Sequence, residues 1–166
     1  MSKLDIKLPK IKYDSNGNLI FKEYSNGFWK KYEYDSEGNL IYFENSEGYW
    51  QRYKYDSKGN LIYREDSDGF WSRHEYDSNG NKIRIDRSNG SWKTFKYNSS
   101  GKMIREEDSY GFWEERKYDS RGNMIHVENS YGFWGDYKYN SNDNMIHMEN
   151  SDGMCVDYED GYSPDD

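Results

Sequence analysis

The chain has 166 residues and a formal net charge of −8, and 19% of its residues are aromatic. Alanine is absent and leucine occurs only five times, which excludes a helical domain because these residues are among the strongest helix formers. Tyrosine, phenylalanine, tryptophan and isoleucine favour strands, and so many aromatic residues are not typical of disordered chains. The composition predicts one folded all-β domain.

Bulk properties also bear on where the protein works. No apolar run approaches the length of a membrane span, and the first residues, MSKLDIKLPK, lack the apolar core of a signal peptide. Cys155 is the single cysteine, so no internal disulfide points to an oxidising compartment. We therefore expect a soluble, cytoplasmic protein with no membrane contact. The negative net charge argues against direct nucleic-acid binding, which needs a basic surface.

A tandem repeat organises most of the chain. Residues 1–12 form an N-terminal cap segment, seven copies of a 21-residue sequence fill residues 13–159, and residues 160–166 form an acidic tail. Tyrosine, isoleucine and tryptophan each recur at this period. The three columns are Tyr13, Tyr34, Tyr55, Tyr76, Tyr97, Tyr118 and Tyr139; Ile20, Ile41, Ile62, Ile83, Ile104, Ile125 and Ile146; and Trp29, Trp50, Trp71, Trp92, Trp113 and Trp134.

Each repeat contains two turn sequences, such as DSEG at 35–38 and NSEG at 45–48. Asp, Asn and Ser begin such turns by bonding to nearby backbone, and Gly adopts the positive φ that closes them. The segments between turns have strand length and strand composition. Each repeat is therefore predicted to be a β-hairpin. The chain is predicted to form an open, coiled, single-layer antiparallel meander of about fourteen strands with degenerate capping ends.

The spacing of the turn glycines predicts an asymmetry between the two turns. Gly38 and Gly48 are 10 residues apart, whereas Gly48 and Gly59 are 11 apart. A register slip of one residue exchanges the two faces of a strand. We therefore predict that one turn of each repeat carries an extra G1-type bulge residue and the other does not.

With that register, the sequence assigns side chains to two faces. Ile41 is predicted to lie opposite Tyr53, and Glu44 opposite Trp50. One face then carries Ile41, Tyr49, Tyr53 and Tyr55, and the other carries Leu40, Tyr42, Glu44, Trp50 and Arg52.

The string YEYDSEGNL at 32–40, and its copy at 53–61, resembles the YD repeat of the Rhs and teneurin family. The 21-residue period matches as well, and the resemblance covers residues 13–159. The resemblance implies β-hairpin units. Members of that family use long arrays of such units, either as a spiralling β-shell around a toxin or as an extracellular stalk. The tryptophan column is not part of the family motif, so it is specific to this chain.

That column is the main candidate for a binding surface. Equivalent tryptophans are predicted to lie two strands apart, about 9.6 Å. Tryptophan, tyrosine and arginine dominate binding hot spots, and an aromatic row can also stack on sugar rings. Packing alone is the competing interpretation. The candidate residues are Trp29, Trp50, Trp71, Trp92, Trp113 and Trp134, with Arg52 and Arg73 beside them.

Charge is unevenly distributed and adds further candidates. The fourth repeat carries +3, including Arg84 and Arg87, whereas residues 139–166 carry the whole net charge of −8, including Asp157, Glu159 and Asp160. Such patches can steer an oriented partner. Alternatively, the uneven charge serves solubility and protects the sheet edge from aggregation.

No catalytic, cofactor or metal site is predicted. The acidic column that includes Glu44 and Glu65 is repeat-spaced and lacks the unequal pair of carboxylates that glycoside cleavage requires. His126 and His147 are predicted to lie too far apart to share zinc, and Cys155 appears alone. We therefore expect a non-enzymatic protein that binds a partner protein as an inhibitor, immunity factor or adaptor. The alternatives are carbohydrate binding along the tryptophan column, an acidic mimic of nucleic acid that inhibits a nuclease, and self-association through a sheet face.

Overall fold

The computed structural model describes residues 9–162, with side chains described through Tyr158. The predicted all-β class is confirmed, and every regular element in the described chain is a strand. The strands are β1 (Lys10–Tyr13), β2 (Leu19–Glu23), β3 (Trp29–Tyr34), β4 (Leu40–Asn45), β5 (Trp50–Tyr55), β6 (Leu61–Asp66), β7 (Trp71–Tyr76), β8 (Lys82–Arg87), β9 (Trp92–Tyr97), β10 (Met103–Asp108), β11 (Trp113–Tyr118), β12 (Met124–Asn129), β13 (Trp134–Tyr139), β14 (Met145–Asn150) and β15 (Cys155–Tyr162).

The strands follow one another in the sheet in chain order, from β1 to β15, as an open antiparallel meander of hairpins. The cap segment supplies the extra strand β1, and β15 extends into the predicted acidic tail. Residues 1–8 of the cap and 163–166 of the tail lie outside the described residues. The chain divides into two compact units, an N-terminal unit of residues 9–75 and 86–90, and a C-terminal unit of residues 76–85 and 91–162. Within residues 9–162, no helix is long and apolar enough to cross a membrane.

Both turns of a repeat close in the same way. In the first, Asp35 N donates to the carbonyl of Asn39 and Gly38 N donates to that of Asp35. In the second, Asn45 N donates to Tyr49 and Gly48 N to Asn45. Gly38 and Gly48 have φ of 87° and 84°, as the G1-type bulge of a three-residue hairpin loop requires. The prediction that only one turn carries this bulge is wrong.

The residue that makes the period odd lies within a strand instead. Between β3 and β4, Glu33 pairs with Tyr42 and Tyr34 pairs with Leu40, so Ile41 is the additional residue. The same shift occurs at Ile62 and Ile125, beside the YD turn. The other hairpin is regular in the first three repeats and in the fifth and sixth, whereas that of the last repeat has a shift of its own between Met145 and His147. The two hairpins of a repeat therefore differ in pairing, but the additional residue lies in the isoleucine column of a strand and not in a turn, where it was predicted.

This bulge changes the predicted faces. The ladder between β4 and β5 consists of three pairs and ends at Tyr42–Arg52, so it does not reach the predicted pair of Ile41 with Tyr53. Ile41 lines an open groove with Tyr42 and Arg52, and also with Tyr53 and Tyr55 of its own predicted face. The predicted grouping of Leu40 with Tyr42 is wrong, because Leu40 pairs with Tyr34 while Tyr42 pairs with Glu33, and Glu33 and Tyr34 point to opposite faces of their strand.

Serine residues of the second turn connect successive repeats. Ser46 N donates to the carbonyl of Trp29, and Trp29 N donates to Ser46 Oγ at 3.2 Å, across 17 residues. The same pair of bonds joins Ser130 to Trp113. The backbone of each tryptophan is thus held by the following repeat, which positions the tryptophan column.

Candidate interaction surface on the tryptophan face

The tryptophan column lies on one sheet face, which we call the tryptophan face. It is defined in the second repeat by two directly opposed pairs, Glu44–Trp50 and Tyr42–Arg52. Side chains alternate along a strand, so residues two apart share a face. The predicted grouping of these four residues and the predicted pair of Glu44 with Trp50 are confirmed.

In the N-terminal unit, cations lie over aromatic rings on this face. The guanidinium of Arg52 lies 4.9 Å from the ring centre of Trp50 and 5.8 Å from that of Tyr42. Lys31 Nζ lies 5.8 Å from the Tyr42 ring on its other neighbouring strand. A cation over a ring is stabilised by about 0.5–1 kcal/mol at exposed sites. An aromatic residue is paired with a basic residue across the ladder at Phe21–Lys31, Tyr42–Arg52 and Tyr63–Arg73.

The acidic column holds the tyrosines of this face in place. Tyr42 donates its hydroxyl hydrogen to Glu44 at 2.9 Å, and Tyr63 donates to Glu65 at 3.1 Å. Burial, and then the bond to Glu44, raises the pKa of Tyr42. In other repeats the carboxylate of this column meets a basic group instead: Glu23 pairs with Lys10 at 3.1 Å and Glu107 with Arg105 at 2.9 Å.

In the last three repeats, within the C-terminal unit, the positions equivalent to Tyr42 hold arginine or histidine, and the positions equivalent to Arg52 hold an acidic residue. Arg105, His126 and His147 occupy the tyrosine column, and their cross-strand partners are acidic. The opposed pairs are Arg105–Glu115, His126–Asp136 and His147–Asp157. Each histidine Nδ1 lies 2.6 Å from its aspartate. An aromatic–cation pair in one unit is thus replaced in the other by an ion pair at Arg105–Glu115 and by hydrogen-bonded histidine–aspartate pairs at the other two positions.

The tryptophans themselves are partly exposed. Trp29, Trp50, Trp71, Trp92 and Trp113 are of intermediate burial, and Trp134 is 37% exposed. Arginines cover part of three rings, since Arg84 and Arg105 lie 5.8 Å and 5.6 Å from Trp92 and Trp113, as Arg52 does from Trp50. The ring surface of those three tryptophans therefore contacts guanidinium groups, which would compete with a stacked sugar.

The remaining candidates are dispersed. Arg73 is exposed, whereas Arg84 and Arg87 are half-buried and belong to different compact units. Asp157 is 83% exposed and bonds to His147. The side chains of Glu159 and Asp160 lie outside the described residues, so the predicted acidic contact is described only at Asp157.

Two exposed tyrosines were not singled out from the sequence. Tyr110 and Tyr131, at the tips of successive second turns, are 80% and 82% exposed, and the Tyr131 ring lies 5.6 Å from that of Phe112. The sequence feature that could have identified them is an aromatic residue at a turn position that is polar in the other repeats. The interpretation of Cys155 as isolated is also wrong, because strand pairing brings it close to His147 and Glu149.

Comparison with known proteins shows similarity in fold. No family model matches the chain, and no curated protein matches it significantly. Among similar solved structures, the TcdB2-TccC3-Cdc42 crystal structure has a TM-score of 0.64 and 16% identity, and the match covers 82% of this chain and 9% of that one. The Photorhabdus luminescens Tc holotoxin pore has a TM-score of 0.68 and 13% identity, with 90% of this chain and 9% of that one covered. TcdB2-TccC3 without its hypervariable C-terminal region has a TM-score of 0.65 and 17% identity, with 82% of this chain and 9% of that one covered.

These matches concern the fold alone, because the identities are low. This chain spans 9% of the length of each of those chains. The β-hairpin units implied by the YD resemblance are present, as a 15-stranded sheet. The chain is therefore a tandem β-hairpin protein with a fold similar to part of these Tc toxin components.

Proposed function

We propose that this protein is a non-catalytic repeat scaffold of the YD type that binds a partner protein through the tryptophan face of its N-terminal unit. The observation that carries the proposal is the position of Arg52, whose side chain is 61% exposed while its guanidinium lies over Trp50. An exposed cation held on an aromatic ring combines the residue types that contribute most to protein hot spots.

The partner surface that fits is acidic. Arg52 and Arg73 are exposed on this face, and Lys31 beside them is half-buried and pairs with Glu33 at 2.8 Å. Arginine and lysine held against rings lose less conformational freedom when they bind, because part of their side chain is already ordered. The similar TcdB2-TccC3-Cdc42 structure, whose name joins three components, is a further reason to expect a protein partner.

A binding experiment on matched variants tests the proposal. Proteins captured from a host lysate by the tagged chain would be purified, and their affinities measured against wild type and a Lys31→Ala/Arg52→Ala variant. The control is Lys22→Ala, because Lys22 also lies over a ring, that of Tyr24 at 4.7 Å, but falls on the opposite face.

We expect the double variant to bind at least about tenfold more weakly, the control to bind as wild type does, and the wild-type affinity to fall with salt. Equal affinity of all three proteins would contradict the proposal. So would a chain that binds no protein and instead binds oligosaccharides in a manner abolished by Trp71→Ala and Trp113→Ala.

A further inference from the structure

The last hairpin carries a distinct set of side chains on the tryptophan face. The ladder between β14 and β15 places His147 opposite Asp157 and Glu149 opposite Cys155. The same four positions hold tyrosine, arginine, glutamate and tryptophan in the second repeat. Cys155 therefore stands where every other repeat has tryptophan. A small thiol replaces the indole opposite the glutamate and near the histidine.

The three metal-binding groups are close together. One ligand atom each from His147, Glu149 and Cys155 lies within 4.8 Å of the other two. Ligand atoms of a tetrahedral zinc site, with bonds of about 2.0–2.3 Å, are roughly 3.3–3.8 Å apart. The proposal requires rotation about side-chain torsions to close this difference, and Cys155 is an exposed, free thiol.

The histidine is already oriented for metal binding. Nδ1 of His147 lies 2.6 Å from Asp157 Oδ1. An ionised carboxylate only accepts hydrogen bonds, so this contact requires a hydrogen on Nδ1, and in the neutral imidazole Nε2 then has the lone pair that a metal ion needs. A carboxylate behind the histidine is the usual outer partner of a zinc-binding imidazole, because it holds the ring and raises its basicity.

We propose that His147, Glu149 and Cys155 bind one Zn²⁺ ion, with a water molecule in the fourth position and Asp157 as the positioning residue for His147. Imidazole, thiolate and carboxylate are all zinc ligands, and a thiolate favours zinc over magnesium or calcium. The ion would join β14 to β15, the last strand of the described sheet.

The preceding hairpin provides an internal comparison. There His126 bonds to Asp136 in the same way, and Glu128 occupies the glutamate position, but Trp134 stands where the last hairpin has cysteine. The two hairpins therefore differ at the thiol. Metal binding should follow the cysteine and not the histidine–aspartate pair.

Titration of the reduced chain with Co²⁺ tests the proposal, because thiolate ligation gives a charge-transfer band that carboxylate and imidazole ligation do not. Zn²⁺ would then displace Co²⁺ and remove the band. The variants are Cys155→Trp, which restores the residue of the other repeats and so preserves the fold, His147→Phe, and His126→Phe as the matched control. Trp134→Cys would install a second thiol in the preceding hairpin.

We expect one equivalent of Co²⁺ with a thiolate band in wild type and in His126→Phe, and none in Cys155→Trp or His147→Phe. Trp134→Cys should raise the stoichiometry to two. Asp157→Asn should keep one equivalent and the band but weaken binding by about tenfold or more. Absence of the band in wild type would overturn the proposal. Retention of the band in His147→Phe, or half an equivalent with dimerisation, would also overturn it, because the thiol would then bind without its neighbours.

Discussion

The hydroxyl of Tyr55 donates a hydrogen bond to the backbone carbonyl of Leu40 at 3.0 Å, across 15 residues. Tyr55 is the tyrosine of a YD turn, and Leu40 precedes the bulge residue Ile41. The ladder between their strands has already ended at Tyr42–Arg52, so the tyrosine bonds to a carbonyl beyond that ladder. The same bond joins Tyr34 to Leu19 and Tyr139 to Met124.

This relationship predicts the cost of removing one hydroxyl. Tyr55→Phe should lower the free energy of unfolding by about 1–2 kcal/mol, because the partly buried carbonyl of Leu40 loses its donor. Burial also raises the pKa of Tyr55, which agrees with a shielded hydroxyl. Urea denaturation followed by tryptophan fluorescence would measure the change. Tyr13→Phe is the control, since Tyr13 occupies the same column but is 60% exposed; an equal loss in both variants would contradict the assigned role.

The bulge predicts that the strand register survives loss of the isoleucine. Ile62 has no partner on β5, and its neighbours Leu61 and Tyr63 pair with Tyr55 and Lys54. Deletion of Ile62 leaves these two pairs consecutive, so the other residues keep their faces and unfolding should stay cooperative, with a loss of about 1–2 kcal/mol for a half-buried side chain. Differential scanning calorimetry of the deletion beside Ile62→Ala would measure both losses. Loss of cooperative unfolding in the deletion alone would contradict the assigned position of the additional residue.

The exchange of pair types between the two units predicts a double-mutant cycle. Glu115→Arg alone should destabilise the chain by about 0.5–1 kcal/mol, because it places two arginines opposite each other at the Arg105–Glu115 pair. Adding Arg105→Tyr should recover most of that loss, since the pair then matches Tyr63–Arg73. Unfolding free energies of the four proteins give the coupling. Additive effects would show that the two columns are independent.

The turn aspartates predict a dependence of stability on pH. A side-chain hydrogen bond from Asn39 lowers the pKa of Asp35, and one from Asn60 lowers that of Asp56. A carboxyl whose pKa is lower in the folded state contributes stability above its unfolded pKa, and this contribution is lost as pH falls toward the folded value. The denaturation midpoint should therefore fall as pH drops from about 5 toward the lowered folded pKa values.

An asparagine variant isolates this contribution. Asn98 already accepts the same two backbone bonds in the fifth repeat, so the turn tolerates the change. A variant with Asp14, Asp35, Asp56 and Asp77 all changed to asparagine should show a shallower pH dependence. Glu47→Gln with Asp152→Asn changes exposed charges outside these bonds and should keep the wild-type slope. An unchanged slope in the first variant would contradict the assignment.

Much of the fold was predictable because the same turn and strand sequences recur in all seven repeats. The turn sequences gave the hairpins, and the tryptophan column identified one face with Glu44 opposite Trp50. The location of the bulge was not predictable in the same way. Glycine spacing shows that one residue is additional, but a bulge in a turn and a bulge at Ile41 produce the same period.

The pairing across strands also needed the structure. Column composition alone did not show that Arg52 lies over Trp50 or that arginines cover Trp92 and Trp113, because side-chain position depends on rotamers and on both neighbouring strands. The grouping of His147 with Cys155 was hidden for a related reason. It depends on register across a hairpin rather than on sequence spacing of a metal motif.

The sequence by itself thus determined the class of fold, the hairpin period and the residues that recur in columns, since these follow from local backbone preferences repeated along the chain. Only the tertiary structure decided which columns face each other, where the additional residue lies, and which charged groups meet aromatic rings or acids. Those relationships depend on the register between strands and on the packing of each side chain against residues that are distant in sequence.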